Sequence, residues 1–362
     1  MFNFTLVYYL RALGFSSAGI GTATSVTPLV YLLGCLLLPG FFRSVKGKAR
    51  VTLSLFGMAL SIVLFSAAQT KTLIYLILVL YGFFQSLLWT NIETWITSER
   101  GKINLTKNLT LFNLSWSSSV GVSNLLGGIL VDISYTLSFG VTVALFLAAA
   151  FIVLSSPYSR ERGQTTDEEK KDDALSPCRY LAWLGIFVIY TGYSMVIVVF
   201  PQYGLDALGF SSSLSGRLLF YRGVSVCIAF LLLRKFTIWQ RGKGAVVLML
   251  ASFSLLTFAF NYVKTPILYS LLFVLYGLVF ALGYDLSIYH SALGGGRRHM
   301  RMVLHEVLIT AGTTAGSFLG SLLYQYMSFS ALVISVTALG TLSLLISLIS
   351  KDAPIADNRV KM

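Results

Sequence analysis

Arg222 sets a full positive charge among Leu218, Leu219, Val224, Val226 and Ile228, and a charge in so apolar a run is costly enough to be kept only for a partner or a ligand. Counted from Leu214 at about 1.5 Å per helical residue, it lies about 12 Å along its helix. Arg217 is shallower, and its long stem can carry the guanidinium to the surface. Tyr81, Gln85, Trp89 and Glu93 follow one another in steps of four, which holds them to about one third of a helix circumference. Tyr276, Phe280, Tyr284 and Ile288 repeat that spacing 195 residues later, and Tyr190 and Tyr193 fall at the same mid-span level. Amphipathic rings with an amide and a guanidinium suit a small organic solute, an anionic one where Arg222 takes part, better than a bare metal ion. The three His and three Cys have no metal-ligand spacing, and no Gly-x-x-x-x-Gly-Lys-Ser/Thr loop is present, so no metal, no cofactor, no soluble catalysis and no ATP-driven step are expected.

The elements that must position these residues are membrane helices. The chain is 56% hydrophobic and 11% charged, with a mean hydropathy of +0.78, against about 25% charged residues in a soluble domain. Apolar stretches of about 20 residues, each long enough for a hydrocarbon core of about 30 Å, recur near 20–42, 51–69, 73–96, 109–131, 136–156, 181–202, 214–233, 244–262, 267–290, 303–325 and 329–350. Ser115, Ser119, Ser123 and Gly127, and likewise Gly312, Gly316 and Gly320, form small-residue ladders that permit close helix approach, either as plain packing or as a sliding contact between halves.

Charge sets the orientation. The formal net charge is +13, yet the Lys and Arg residues gather in alternate connections (43–50, 100–107, 160–179, 234–243, 297–301 and 351–361), whereas the other loops hold only Arg11, Lys71 and Lys264. That bias is the positive-inside pattern, so the basic loops and the C-terminus are expected in the cytoplasm and the partner of the chain is a lipid bilayer rather than nucleic acid. Residues 157–180 interrupt the hydrophobic pattern with Asp167-Glu168-Glu169-Lys170-Lys171-Asp172-Asp173, a solvated linker. The expected divisions are a first helical bundle at 1–156, the linker at 157–180, a second bundle at 181–350 and a tail at 351–362. Cys35 and Cys227 fall in spans and Cys178 on the basic side, so no disulfide framework is indicated.

The chain is internally duplicated. Tyr-x-Leu-x-Ala-Leu-Gly-Phe-Ser-Ser occurs at Tyr8 to Ser17 and again at Tyr203 to Ser212, and the same offset relates Gly47-Lys48 to Gly242-Lys243 and Val79-Leu80-Tyr81-Gly82 to Val274-Leu275-Tyr276-Gly277. A parallel repeat in a membrane protein points first to a transporter. By this repeat Met1 corresponds to Val196, so the first helix is expected to be mostly missing, leaving about 11 full spans.

With two six-helix halves, a central linker and basic loops after the second and eighth helices, the chain resembles the major facilitator superfamily. Gly40-Phe-Phe-Arg43-Ser44-Val-Lys46-Gly47-Lys48 is similar to that family's loop Gly-x-x-x-Asp-x-x-Gly-Arg-Lys/Arg, with Ser44 in the acidic position. The resemblance implies an all-α fold of two parallel-repeat bundles, a central cavity walled by the helices carrying Tyr81–Glu93 and Tyr276–Ile288, and a cytoplasmic gate involving Gly40, Gly47 and Lys48. Glu93 and Asp285, near the basic end of their spans, are gate or helix-end candidates; Glu306, beside His305, can pair with Arg297, Arg298 or Arg301. The expected function is secondary transport of a small organic solute, with a coupling ion as a further partner, across the cell membrane. The alternative is a non-transporting membrane receptor or an inactive, shortened transporter paralogue.

Overall fold

In a computed structural model the chain is helical throughout its described residues, which are 1–37, 47–97, 102–156, 176–240, 242–293 and 298–350; for 90, 91, 93–97, 102–110, 298 and 299 only the backbone is described. The helices are α1 (Phe2–Ala12), α2 (Ser17–Leu37), α3 (Gly47–Ser66), α4 (Lys71–Thr97), α5 (Lys102–Ile133) and α6 (Tyr135–Ser155) in the first half. In the second half they are α7 (Arg179–Leu208), α8 (Ser212–Lys235), α9 (Gly244–Ala259), α10 (Pro266–Ala292), α11 (Arg298–Tyr326) and α12 (Phe329–Ile349). Ten of them are long and apolar enough to cross a membrane, and α9 is a shorter apolar helix. These eleven coincide with the eleven expected stretches. α1 is the short one, at 11 residues. The linker 157–175 and the tail 351–362 lie outside the described residues.

The repeated decapeptide is the instruction for a turn. Gly14 and its counterpart Gly209 have φ of 77° and 65°, a left-handed conformation that a glycine reaches without steric penalty and that stops the helix before it. The serines that follow start the next helix: Ser16 Oγ accepts from the Gly19 N–H at 3.2 Å, and Ser211 Oγ from the Leu214 N–H at 3.2 Å, each satisfying an otherwise orphaned donor. Thr265 and Ser328 cap α10 and α12 in the same way.

Each half has its own core. Phe2, Phe65, Tyr81 and Phe139 pack together in the first; Phe200, Phe260, Tyr269, Phe273 and Tyr276 form an aromatic core in the second. Large apolar side chains such as Leu76, Phe151, Leu255 and Ile267 face outward, as a bilayer solvent requires.

The halves meet along α5 with α8 and along α2 with α11, pairs related by the repeat. At α5–α8 the backbones nearly touch: a Cβ on Gly223 would lie 2.6 Å from Gly121 Cα, and one on Gly216 would lie 2.5 Å from Asn124 O. The ladder Gly312, Gly316 and Gly320 does not make this contact. It packs within its own half, Gly312 and Gly316 against the backbone of α7 and Gly320 against Leu332 and Val199. Of the other ladder, Ser115 and Ser119 are exposed, Ser123 is half-buried, and Gly127 lies against Phe4 and Met1.

Candidate functional site

Between the halves lies a cavity of about 340 Å³ walled by both. The first half contributes Asn3, Phe4, Thr24, Thr27, Tyr31, Gln85, Trp89, Phe112, Trp116, Ser123 and Asn124; the second contributes Tyr190, Tyr193, Ile197, Leu219, Tyr284, Glu306, Thr310, Thr313 and Ser317. Thr24 and Leu219 are repeat counterparts, so equivalent faces of α2 and α8 look into the same space. Aromatic pairs stiffen the wall: Trp116 and Tyr284 are 5.5 Å apart, Trp89 and Phe112 5.9 Å, and Tyr190 and Tyr193 5.6 Å. Gln85 Oε1 and Thr27 Oγ1 are buried and have no hydrogen-bond partner, whereas Thr310 and Thr313 return their hydroxyl protons to carbonyls of their own helix. Next to this wall α7 contains a π turn at Met195–Val199, an irregularity frequent at functional sites.

Of the residues singled out from sequence, Gln85, Trp89, Tyr190, Tyr193, Tyr284 and Glu306 come together around this cavity. Tyr81 and Tyr276 do not. Steps of four advance about 40° each on a helix of 3.6 residues per turn, so each stripe drifts off the cavity, carrying Tyr81 under Phe2 (4.6 Å) and Tyr276 between Phe253 and Phe260 (5.7 and 6.0 Å). Arg222 also stands outside the lining. It is 3% exposed, with its guanidinium 4.7 Å from the Tyr193 ring centre and 5.2 Å from that of Phe280. Arg217 is exposed.

The gate candidates are scattered. Gly40 lies outside the described residues, and Glu93 has a described backbone only. Asp285 is half-buried on α10, away from the cavity lining. Gly47 begins α3, where Lys48 Nζ donates to Leu154 O and Ser156 O, both at 2.8 Å. Its counterpart Lys243 donates to Leu348 O and Ser350 O. Each lysine thus holds the C-terminal carbonyls of the last helix in its own bundle, where a cation also meets the negative end of the helix dipole. Glu306 faces the cavity, with His305 Nε2 at 4.0 Å. Of the arginines expected near it, Arg301 is buried and donates to Ser291 O and Leu293 O at the end of α10; Arg297 and the Arg298 side chain are not described.

Sequence reasoning missed the hydroxyl stripe Thr310, Thr313, Ser317 and the pair Thr24 and Thr27. For the stripe, the spacing of four, three and four after Glu306 was the available signal, hidden because serine and threonine are common in any membrane helix.

On the face away from the basic connections the halves are tied together. Arg11 Nη2 donates to Asp206 Oδ2 at 2.8 Å, and the two residues are repeat counterparts. Asp132 at the end of α5 accepts from the Ser213 N–H at 3.0 Å and from the Ser212 hydroxyl, while Gln325 Oε1 at the end of α11 accepts from the Ala18 N–H at 2.7 Å. Ala18 and Ser213 are counterparts as well, so the starts of α2 and α8 are capped across the interface by equivalent helices. The cavity lies between these contacts and the basic face.

The model of the Major Facilitator Superfamily matches residues 1–293. The chain belongs to this superfamily. It is therefore an integral membrane protein and a transporter rather than an enzyme. No curated protein matches it. Among solved structures, a bacterial homologue of the human lysosomal transporter Spinster, in an inward-facing and occupied conformation, is similar with TM-score 0.72 at 13% identity, over 95% of this chain and 90% of that one. A point variant of the nucleoside transporter NupG is similar with TM-score 0.71 at 13% identity, over 96% and 94%. At this identity the likeness carries the fold alone. For a superfamily transporter it places the repeat, the twelve helices and the central cavity in one architecture.

Proposed function

We propose that this protein is a secondary transporter that moves a small organic solute through the cavity by alternating access, the two halves rocking about the α2–α11 and α5–α8 contacts. The single observation that carries the reading is the cavity itself, walled by repeat-related faces of both halves. A volume of about 340 Å³ falls within the range of small-molecule sites. Gln85, Trp89, Tyr190, Tyr193 and Tyr284 are the proposed solute contacts. The Gly40–Lys48 loop, Glu93, Asp285 and Glu306 are the proposed gate at the basic face, and the membrane is the cell membrane with the basic face in the cytoplasm, which the charge bias supports. The proposed driving force is an ion or solute gradient, since the sequence carries no nucleotide loop for an ATP-driven pump.

Counterflow in proteoliposomes tests the reading. Vesicles preloaded with one member of a panel of small organic acids, nucleosides, amines and sugars should accumulate labelled solute for at least one member, and Trp89→Ala should lower that exchange. Folded, reconstituted protein with no exchange for any member would overturn alternating access and leave the non-transporting reading.

A further inference from the structure

Arg222 is a buried cation near the middle of a membrane helix, and its Nε and Nη1 have no hydrogen-bond partner. Buried donors in proteins are nearly always satisfied, and each exception calls for an explanation. Contact with Tyr193 and Phe280 offsets part of the lost hydration but leaves Nε and Nη1 unmet. Only one layer of rings separates this guanidinium from the cavity, because Tyr193 lines it and Tyr193, Tyr190 and Phe280 form a cluster with centres 5.1–5.6 Å apart.

The repeat supplies the direction. Arg222 corresponds to Thr27, and Thr27 lines the cavity with an unpartnered hydroxyl. The equivalent face of α8 therefore looks toward the same space, as Leu219 does one turn earlier, and Tyr193 stands in the way. Glu306 lines the same cavity, with the His305 ring 4.0 Å away.

We infer that Arg222 is a covered anion subsite of the transport cavity: the carboxylate or phosphate of the solute displaces the Tyr193 ring and takes the guanidinium, which makes the substrate class small organic anions. A planar guanidinium with open N–H groups can grip such a group bidentately, which an ammonium cannot. This inference rests on the transporter reading and narrows it.

The test uses the purified full-length protein in nanodiscs, with benzoate and phenyl phosphate as probes and benzyl alcohol and benzylamine as neutral and cationic controls. Melting temperature and the fluorescence of the cavity tryptophans are read together. The anions should raise the melting temperature and quench fluorescence, and the controls should do neither. Arg222→Met, which keeps the length and removes the charge, should melt higher than the parent in the absence of anion, since it relieves a buried charge, and should lose the anion response. Arg222→Lys should keep a response weakened by about tenfold. A lower melting temperature in Arg222→Met would make this arginine structural and overturn the inference. So would an equal response to benzylamine, or none to either anion. Counterflow of a neutral solute that survives Arg222→Met would overturn the anion subsite while leaving the transporter reading intact; counterflow of nothing would strike the transporter reading.

Discussion

Gln85 illustrates how much a single neutral group contributes to such a site. Its Oε1 is buried in the wall without a partner, one turn from Trp89, so it is open to a donor from the solute. Gln85→Leu removes neutral hydrogen bonds of about 0.5–1.5 kcal/mol each, and solute affinity in a binding isotherm should fall by about twofold to tenfold. No change would move Gln85 out of the contact set. The residue scale is also where sequence reading was weakest. Gln85, Trp89 and Tyr284 face the cavity while Tyr81 and Tyr276 on the same stripes do not, because a four-residue step turns about 40° too far and only the packing of a whole helix fixes which member is centred. The depth of Arg222 was legible from its apolar neighbours. Its cover of Tyr193 and Phe280 was not, since that depends on α7 and α10 meeting α8 in space.

At the scale of elements, the contacts between halves follow the repeat and are of two kinds. The α5–α8 glycines let backbones approach; the polar caps tie the halves together on the face away from the basic connections. Gly223→Ala should therefore destabilise by about 1–3 kcal/mol through overpacking, because backbone at Gly121 cannot yield as a side chain would. Gly140→Ala in α6, where nothing lies within 4 Å of the added methyl group, should stabilise by up to about 1 kcal/mol through helix propensity alone. Thermal melts in the same detergent compare the two, and a lower melting temperature for both would show that the contrast does not come from the interface. The Arg11–Asp206 pair is one of these ties. Partly exposed at 36% and 26%, it is worth about 0.2–1 kcal/mol, a population shift of about 1.5-fold to fivefold. Arg11→Asp replaces attraction with repulsion. In a variant freed of its native cysteines, a cavity cysteine at Thr24 should then be labelled faster from the face opposite the basic loops, and the swap Arg11→Asp with Asp206→Arg should restore the slow rate. Equal rates in all three would remove the pair from these ties. The decapeptide repeat announced this region but not its use: its Gly and Ser residues read directly as a stop and a start, whereas the charge pair is visible only once counterparts 195 residues apart are brought face to face.

At the scale of the molecule, the fold was legible because a bilayer leaves few choices. Backbone groups in hydrocarbon must bond within their own segment, so eleven apolar stretches become eleven helices with boundaries shifted by a few residues, and the duplication orders them into two halves. α11 begins at Arg298 rather than near 303, and α7 runs on to Leu208, since a helix continues past the apolar window where nothing caps it. Orientation follows from a different force, the bias of Lys and Arg toward one set of connections. That bias gives a prediction independent of the site. With the native cysteines replaced, single cysteines at Gly163 in the linker and at Gly295 in the α10–α11 connection should be shielded from a membrane-impermeant thiol reagent in intact cells, because both sit among basic residues. A cysteine at Gln69, in the α3–α4 connection beside Lys71 alone, should react. Permeabilising the cells should expose the first two. Reaction at Gly163 from outside would invert the molecule and place the Arg11–Asp206 contact on the cytoplasmic face.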